Sequence, residues 1–174
     1  IVERLKKAYD EKGWLNETGA KYPVEVAIHK DNVLLTIDTS GSGLNKRGYR
    51  LAQGEAPIKE TLAASLIRLA NWKGDSPLID PFCGSGTIAI EACLIAQNIA
   101  PGFNRDFVSE EWNIMPPNIY DELRDEADRM ADYDKEIEVY ASDIDPEMVE
   151  IAKRNAEEVG LGDIIQFNVK DVNT

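Results

Sequence analysis

The pattern of apolar and polar positions after residue 74 predicts three short strands that alternate with helices. Apolar residues at 77–79, alternating residues at 137–142 and a third run at 164–169 have the length and spacing of strands. A nearly continuous apolar series over 88–96 predicts a buried helix, and a helical stripe runs from 146 to 159. Strands and helices in this alternation favour an α/β fold with a parallel sheet.

The first half of the chain carries a predicted hairpin between two helices. Alternation over 24–29 and 33–38 predicts two strands joined across residues 30–32. The preceding helix has a stripe formed by Val2, Leu5, Ala8 and Tyr9. The following helix begins at Pro57, and we expect it to pack on the sheet through Leu62, Leu66, Leu69 and Ala70.

The stretch that says most about function is residues 80–87, DPFCGSGT, where the first of the three strands turns into a helix. Gly84 and Gly86 would let the backbone approach a ligand, and the new helix offers unpaired N–H groups to an anion. Together with Ala89 they fit the dinucleotide pattern G-x-G-x-x-G/A. On spacing alone, a tight turn without a ligand fits equally well. A P-loop is excluded, because no Lys follows the glycines.

An acidic residue follows each of the three predicted strands. Asp80, Asp143 and Asp171 would meet at the carboxyl edge of a parallel sheet, where open α/β folds bind ligands. Asp143 could accept the hydroxyl protons of a ribose, and Asp171 could accept a hydrogen bond from an adenine amino group. Ile144 and Val172 could sandwich the adenine ring. Beside the glycine turn, these residues predict an adenosine-shaped site.

These residues resemble the cofactor motifs of class I S-adenosylmethionine-dependent methyltransferases, at 80–87, 142–145 and 171–172. The PFCGSG form of the turn resembles enzymes that methylate exocyclic amines of nucleic-acid bases. It is most similar to the THUMP-domain RNA guanine-N2 methyltransferases, once labelled adenine-specific DNA methylases. Other segments resemble that family's domain junction and insertion, at 38–50, 54–63 and 104–107 with Trp112.

The resemblance implies S-adenosylmethionine as the cofactor and RNA as the partner. The glycine turn would hold the methionine part, Asp143 the ribose hydroxyls and Asp171 the adenine amino group. The cofactor-binding set that it implies is Asp80, Pro81, Cys83, Gly84, Ser85, Gly86, Thr87, Asp143, Ile144, Asp171 and Val172. Neither a catalytic residue nor a metal site is assigned.

The resemblance further implies an incomplete Rossmann-like class I methyltransferase fold, with the first three parallel strands in the order 3-2-1. Residues 1–50 would be the tail of a THUMP-like module and its linker. Residues 51–174 would be the cofactor-binding half of the methyltransferase domain, with an acidic insertion at about 101–136. The family's catalytic Asn/Asp-Pro-Pro-aromatic turn follows a fourth strand. The Pro-Pro pair at 116–117 precedes the second strand, and we interpret it as stiffening a loop.

We therefore expect a segment of a longer enzyme that is inactive by itself. Without a fourth strand, residues 78–79 form an open apolar edge, to be covered by the rest of the chain or by a partner strand. The expected reaction is methyl transfer to an exocyclic base amine, most simply guanine N2 of ribosomal RNA. Two alternatives are a DNA adenine-N6 methyltransferase and a non-catalytic RNA-binding scaffold, and a nicotinamide oxidoreductase is a more distant third.

Charge is unevenly distributed along the chain, whose net charge is −13. Residues 1–74 contain twelve Lys and Arg against nine Asp and Glu, whereas residues 75–174 contain seven against twenty-three. RNA should therefore contact the N-terminal third or a domain outside residues 1–174, and the acidic face should repel it. The basic and aromatic segment 46–50 suits a phosphate and a stacked base, although a solvated basic linker has the same composition. The acidic helix 121–130 is expected to turn Leu123, Ala127 and Met130 inward.

The remaining features mainly exclude classes of protein. No apolar run reaches 18 residues and no signal peptide is visible, so the expected compartment is the cytoplasm, with no membrane partner. Cys83 and Cys93 lack metal-ligand spacing, and we expect Cys83 to pack beside the cofactor as a small neutral residue. His29, the only histidine, is expected to be structural.

Overall fold

The computed structural model describes residues 1–15, 17–52, 54 and 56–173. Glu55, part of the junction segment at 54–63, and Thr174 lie outside the described residues. In chain order the elements are α1 (Val2–Ala8), β1 (Val24–His29), β2 (Asn32–Ile37), α2 (Glu60–Leu69), β3 (Leu78–Asp80), α3 (Thr87–Ala96), a 3-10 turn (Val108–Glu111), α4 (Ile119–Met130), β4 (Val139–Asp143), α5 (Pro146–Glu157) and β5 (Ile165–Val169).

Three parallel strands form the sheet that organises the second half of the molecule. β4 lies in the centre, with β3 on one side and β5 on the other, which confirms the predicted order third, second, first. Val139 and Ala141 of β4 are buried, as a central strand requires. Within the described chain β3 pairs only with β4, and Ile79 on it is 71% exposed. The predicted open apolar edge is therefore present among these residues.

Two helices enclose the core against this sheet. α3 is apolar almost all round and is buried along most of its length, as its composition predicts. α5 begins where Asp145 accepts a hydrogen bond from the Glu147 N–H at 2.8 Å, with Pro146 in the first turn. The core consists mainly of residues from α3, α5 and the strands, among them Ile90, Cys93, Val139, Ala152, Ala156 and Ile165, together with Leu161 from the segment between α5 and β5.

The structure corrects the predicted inward face of α2. The helix begins at Glu60 rather than Pro57, and it packs mainly on α3 instead of the sheet. Its buried side chains are Glu60, Ala63 and Ile67, whereas the predicted contacts Leu62, Leu66 and Leu69 are exposed. The buried residues Glu60, Ala63 and Ile67 lie on one face of the helix, and a small residue such as Ala63 permits close approach of two helices.

The predicted hairpin is confirmed: β1 has the predicted bounds, and β2 begins and ends one residue earlier than predicted. Lys30 and Asp31 join β1 to β2, and both have positive φ, as a two-residue hairpin turn of this hand requires. Every residue of both strands is exposed. His29 is among them, paired with Asn32 across the hairpin.

The predicted insertion, residues 101–136, is anchored to the N-terminal region by polar contacts. The Arg105 guanidinium donates to the carbonyl oxygens of Ser40, Ser42, Gly43 and Lys46 at 2.7–3.4 Å. Trp112 donates its indole N–H to the Lys21 carbonyl and stacks on Tyr22. In α4, Ala127 is half-buried, but Leu123 and Met130 are exposed, so two of the three predicted inward residues are wrong. No helix in the described chain has the length and apolar character needed to cross a membrane.

Candidate functional site

Hydrogen bonds fix the glycine loop, residues 80–87, to the end of the neighbouring strand. The Cys83 N–H donates to the Ser142 carbonyl at 2.8 Å, and the Gly84 N–H donates to Asp143 Oδ2 at 3.0 Å. A turn bond from the Gly86 N–H to the Cys83 carbonyl, also 2.8 Å, closes the loop. The structure thus brings two of the three predicted acids, Asp80 and Asp143, to one loop.

The two glycines of the loop have different surroundings. Both have positive φ, +51° at Gly84 and +82° at Gly86. A Cβ on Gly84 would meet no protein atom within 4 Å, so the backbone there faces open space that a ligand can enter. A Cβ on Gly86 would lie 3.0 Å from Ala152 Cβ, because this residue packs the start of α3 against α5. Gly84 therefore suits ligand approach, and Gly86 suits helix packing.

Asp80, the first residue of this loop, has one carboxylate oxygen that is buried and unpaired within the described chain. Its Oδ1 accepts from the Phe82 N–H at 3.2 Å, whereas its buried Oδ2 has no hydrogen-bond partner among the described residues. Burial raises the pKa of Asp80, the Phe82 N–H opposes that shift, and the charge of Asp143 adds to it. An unpaired buried carboxylate is costly unless a cation or a donor reaches it. This oxygen is thus suited to a cationic ligand group.

Asp143 retains the capacity to accept further hydrogen bonds. Oδ2 accepts from Gly84, and Oδ1 accepts from the Asp145 N–H at 3.0 Å. Each carboxylate oxygen has about two acceptor positions, so one remains on each after these bonds. Two neighbouring acceptors held by backbone donors match the paired hydroxyls of a ribose.

The third predicted acid lies at the end of β5. Asp171 accepts hydrogen bonds from the backbone and side-chain N–H groups of Asn173 at 2.9 and 2.8 Å, and these bonds lower its pKa. Two apolar side chains near these strand ends, Ile144 and Val172, are 69% and 51% exposed. The apolar surface that a planar ring would cover is therefore available at both strand ends.

The thiols of the region remain neutral. Cys83 and Cys93 are both buried, and burial raises the pKa of each to about 12. At Cys83 the charges of Asp80 and then Asp143 contribute to the increase. A thiol that stays protonated is a poor nucleophile and a poor metal ligand. Cys83 is suited to packing rather than to reaction.

The remaining loop residues, Ser85 and Thr87, are buried and have partners inside the protein. Their hydroxyls lie 3.5 Å apart, and Thr87 Oγ1 accepts from Arg50 Nη2 at 2.9 Å. Pro81 is half-buried, and Phe82, beside it, is exposed. The hydroxyls of Ser85 and Thr87 therefore contact other protein groups and help to shape the loop.

The segment 47–52, called here the strap, corrects the prediction of a base-stacking surface. Tyr49 is 1% exposed and donates its hydroxyl to Glu91 at 3.1 Å, so its ring cannot stack on a base. Arg47 pairs with the same Glu91 at 3.4 Å, and Arg50 pairs with Glu60 at 2.8 Å. The alternative of a solvated linker is also wrong for Arg47, Tyr49 and Arg50, because their side chains contact the buried residues Glu91, Glu60 and Thr87.

Sequence reasoning missed Asn155, which connects the strap to the glycine loop. This residue is 1% exposed on α5, and its amide nitrogen donates to the carbonyl oxygens of Ser85 and Ala52 at 3.0 and 3.1 Å. Its Oδ1 accepts from the Leu51 N–H at 3.0 Å. A polar residue inside the apolar stripe of α5 was the available signal, since buried amides require partners.

Two cavities of the described chain are lined by residues other than those at the strand ends. One cavity of about 280 Å³ lies behind α3, between Glu91, Ala127 and Met130. A second, of about 550 Å³, lies between the strap and the start of α2. Among the described residues, no group of three or more His, Cys, Asp or Glu side chains is arranged to hold a metal ion.

Comparison with known proteins identifies the fold and the family. The model of the RMKL-like methyltransferase domain (UPF0020) matches residues 47–174. The chain belongs to this family. It is 59% identical over its whole length to YpsC of Bacillus subtilis (strain 168), a candidate RNA methyltransferase, and covers 46% of that protein. It is 41% identical over 98% of its length to the ribosomal RNA large subunit methyltransferase K/L of Psychromonas ingrahamii, of which it covers 23%.

Solved structures show the same architecture. A predicted N6-adenine-specific DNA methylase from Listeria monocytogenes superposes with a TM-score of 0.91 at 57% identity, over 98% of this chain and 45% of the other. SMU.472, a candidate methyltransferase solved in complex with S-adenosylhomocysteine, gives 0.87 at 46% identity, over 97% and 44%. The chain thus has an incomplete Rossmann-like methyltransferase fold. It spans less than half the length of these relatives.

Proposed function

We propose that this chain supplies the S-adenosylmethionine site of an RNA methyltransferase that acts on guanine N2 of ribosomal RNA. The observation that carries the cofactor assignment is the unpaired Asp80 Oδ2 beside an open Gly84 and the twice-bonded Asp143. The relatives named as ribosomal RNA methyltransferases support the substrate class. An RNA substrate of this kind would be met in the cytoplasm.

Each part of the cofactor has a matching group at the strand ends. The cationic amino group of its methionine part suits Asp80, and the open backbone at Gly84 leaves room for it. The ribose hydroxyls suit Asp143, and the adenine suits Asp171 with Ile144 and Val172 on its faces. The full proposed set is Asp80, Pro81, Cys83, Gly84, Ser85, Gly86, Thr87, Asp143, Ile144, Asp171 and Val172, of which Cys83, Ser85, Gly86 and Thr87 shape the loop.

Bound S-adenosylmethionine supplies an activated methyl group on a sulfonium, so the protein needs chiefly to position the donor and the amine. In this proposal, residues 1–174 bind and position the methyl donor. We propose that the group orienting the base amine lies outside residues 1–174, in the rest of the domain, whose next strand would pair with β3. Residues 1–174 alone should then bind cofactor weakly and transfer no methyl group.

Calorimetry with S-adenosylhomocysteine on the full-length protein tests the cofactor site. Asp143→Ala should weaken binding roughly 10- to 150-fold, the equivalent of a charge-assisted hydrogen bond of about 1.5–3 kcal/mol. Asp163→Ala is the matched control, because Asp163 is an exposed carboxylate at the opposite end of β5. No heat from the wild-type protein, or equal affinity in both variants, would contradict the proposal.

A DNA adenine-N6 methyltransferase is the second candidate, because the Listeria relative carries that description. Tritium transfer from labelled cofactor separates the two, since the label should enter ribosomal RNA and leave DNA unlabelled. A non-catalytic RNA-binding scaffold is disfavoured by Asp80, because a buried unpaired carboxylate costs stability and serves a scaffold no purpose.

A further inference from the structure

We infer that the basic cavity between the strap and the start of α2 holds a phosphate of the substrate RNA, an inference that rests on the function proposed above. The cavity has a volume of about 550 Å³. Four of its lining side chains are cationic, Lys46, Arg47, Arg50 and Lys59. Among the described lining residues Glu60 is the single carboxylate, and its ion pair with Arg50 neutralises it.

The two arginines and the two lysines of the cavity have different roles. Arg47 forms an ion pair with Glu91 and Arg50 forms one with Glu60, so both arginine side chains are held in place where they line the cavity. Lys46 and Lys59 are exposed, and neither forms an ion pair within the described chain. Their ammonium groups are therefore free to reach a bound anion. Lys46 is the one cation of the predicted segment 46–50 that still faces solvent.

One side chain connects the cavity to the glycine loop of the proposed cofactor site. Arg50 lines the cavity and also donates to Oγ1 of Thr87, which is the last residue of the glycine loop and the first of α3. A phosphate held by Lys46 and Lys59 would therefore be anchored beside the loop that positions the methyl donor. Phosphate contacts fix register without reading sequence, and a base that is flipped out can then reach the reacting group.

The charge of the surrounding molecule favours this location for a polyanion. Residues 75–174 carry a net charge of −16, from seven basic and twenty-three acidic side chains. An acidic surface repels the RNA backbone, whereas a concave basic site attracts and retains it. The cavity offers such a site at the border between the acidic region and the more basic N-terminal third.

The test uses the full-length protein and a short fluorescein-labelled single-stranded RNA, without cofactor. Anisotropy titrations between about 50 and 200 mM salt compare wild type, Lys46→Ala, Lys59→Ala and the double variant. Each substitution should weaken RNA binding by up to about fivefold. Each should also reduce the slope of log affinity against log salt by about 0.7 for every phosphate that the protein no longer neutralises. Lys153→Ala, an exposed lysine of α5 with the same charge change, is the matched control.

Two outcomes decide the inference. Weaker RNA binding with a smaller salt slope in the double variant, and unchanged binding in Lys153→Ala, would support it. RNA affinity equal to that of wild type would overturn it, and a simultaneous loss of S-adenosylhomocysteine affinity would then assign the cavity to the cofactor's carboxylate. Cofactor binding by the wild-type protein is measured separately, so failure of the proposed function is distinguishable from failure of this inference.

Discussion

Asp80→Asn separates a ligand-binding role of this residue from a structural one. The carboxyl side chain is 9% exposed and its Oδ2 has no partner in the described chain, so its ionised form lacks a compensating group. An amide of the same shape keeps Oδ1 as the acceptor for the Phe82 N–H. The substitution removes the charge and leaves the loop geometry in place.

Affinity and stability should then change in opposite directions. The amino group of S-adenosylhomocysteine would lose a charge-assisted hydrogen bond of about 1.5–3 kcal/mol, which weakens binding roughly 10- to 150-fold. Removing a buried unpaired charge should leave the free energy of unfolding unchanged or higher. A gain of about 1 kcal/mol would raise Tm by about 2–4 °C in a protein of this size.

The pH dependence gives a second measurement on the same pair of proteins. Burial raises the pKa of Asp80, so its protonation begins at higher pH than for an ordinary Asp. As pH falls through that raised pKa, wild-type affinity should decrease, because the carboxylate that binds the ammonium is lost. Wild-type stability should increase over the same range, because protonation relieves the buried charge. The difference between wild type and variant isolates Asp80 from Glu91, whose pKa is also raised by burial.

Calorimetry for binding and differential scanning calorimetry for Tm, each over a pH series, provide the measurements. Asp163→Asn is the control for loss of an exposed carboxylate. Unchanged affinity in Asp80→Asn would refute the assignment of Oδ2 to a cationic ligand. A large fall in Tm that accompanies the loss of affinity would show that Asp80 acts through the fold.

Two further predictions concern the loop and its support. Gly84→Ala should lower Tm by only a few degrees but should weaken S-adenosylhomocysteine binding. Gly86→Ala should reduce the free energy of unfolding by about 1–3 kcal/mol, because the added methyl group would meet Ala152. Equal Tm values for the two variants would contradict this division of roles. Asn155→Leu should destabilise the protein by about 1–3 kcal/mol for each buried group left unpaired, including the Ser85 carbonyl. An unchanged urea midpoint would show that these groups find other partners.

Hydrophobic periodicity was sufficient to predict those helices and strands whose boundaries are marked by residues within or next to the element itself. The short alternating run at 137–142 predicts β4. Asp145 and Pro146 predict the start of α5, because a capping residue and a proline at the first helical position mark where a helix begins. The glycine loop was equally accessible, since its residues are consecutive. The strand order followed from the resemblance, and the sheet confirms it.

Contacts between residues far apart in the chain could not be predicted from sequence patterns. Tyr49 and its neighbours have a composition that suits an RNA-binding surface, and only Glu91, 42 residues later, shows that they are internal. A single carboxylate within the apolar helix α3 was a signal that a cationic or hydroxyl partner must exist. Asn155 in the stripe of α5 was another. Polar residues that interrupt an apolar pattern predict a partner, but not which one.

The hydrogen bonds from Arg105 to carbonyl oxygens of residues 40–46 have a practical consequence for the choice of truncated fragments of this protein. The family match begins at residue 47, and that boundary is an obvious place to cut. A shortened protein that starts there would lose all four carbonyl acceptors of the buried guanidinium. A fragment that begins before residue 38 would retain these acceptors. Screens for a minimal soluble fragment should therefore start upstream of residues 40–46 rather than at the family boundary.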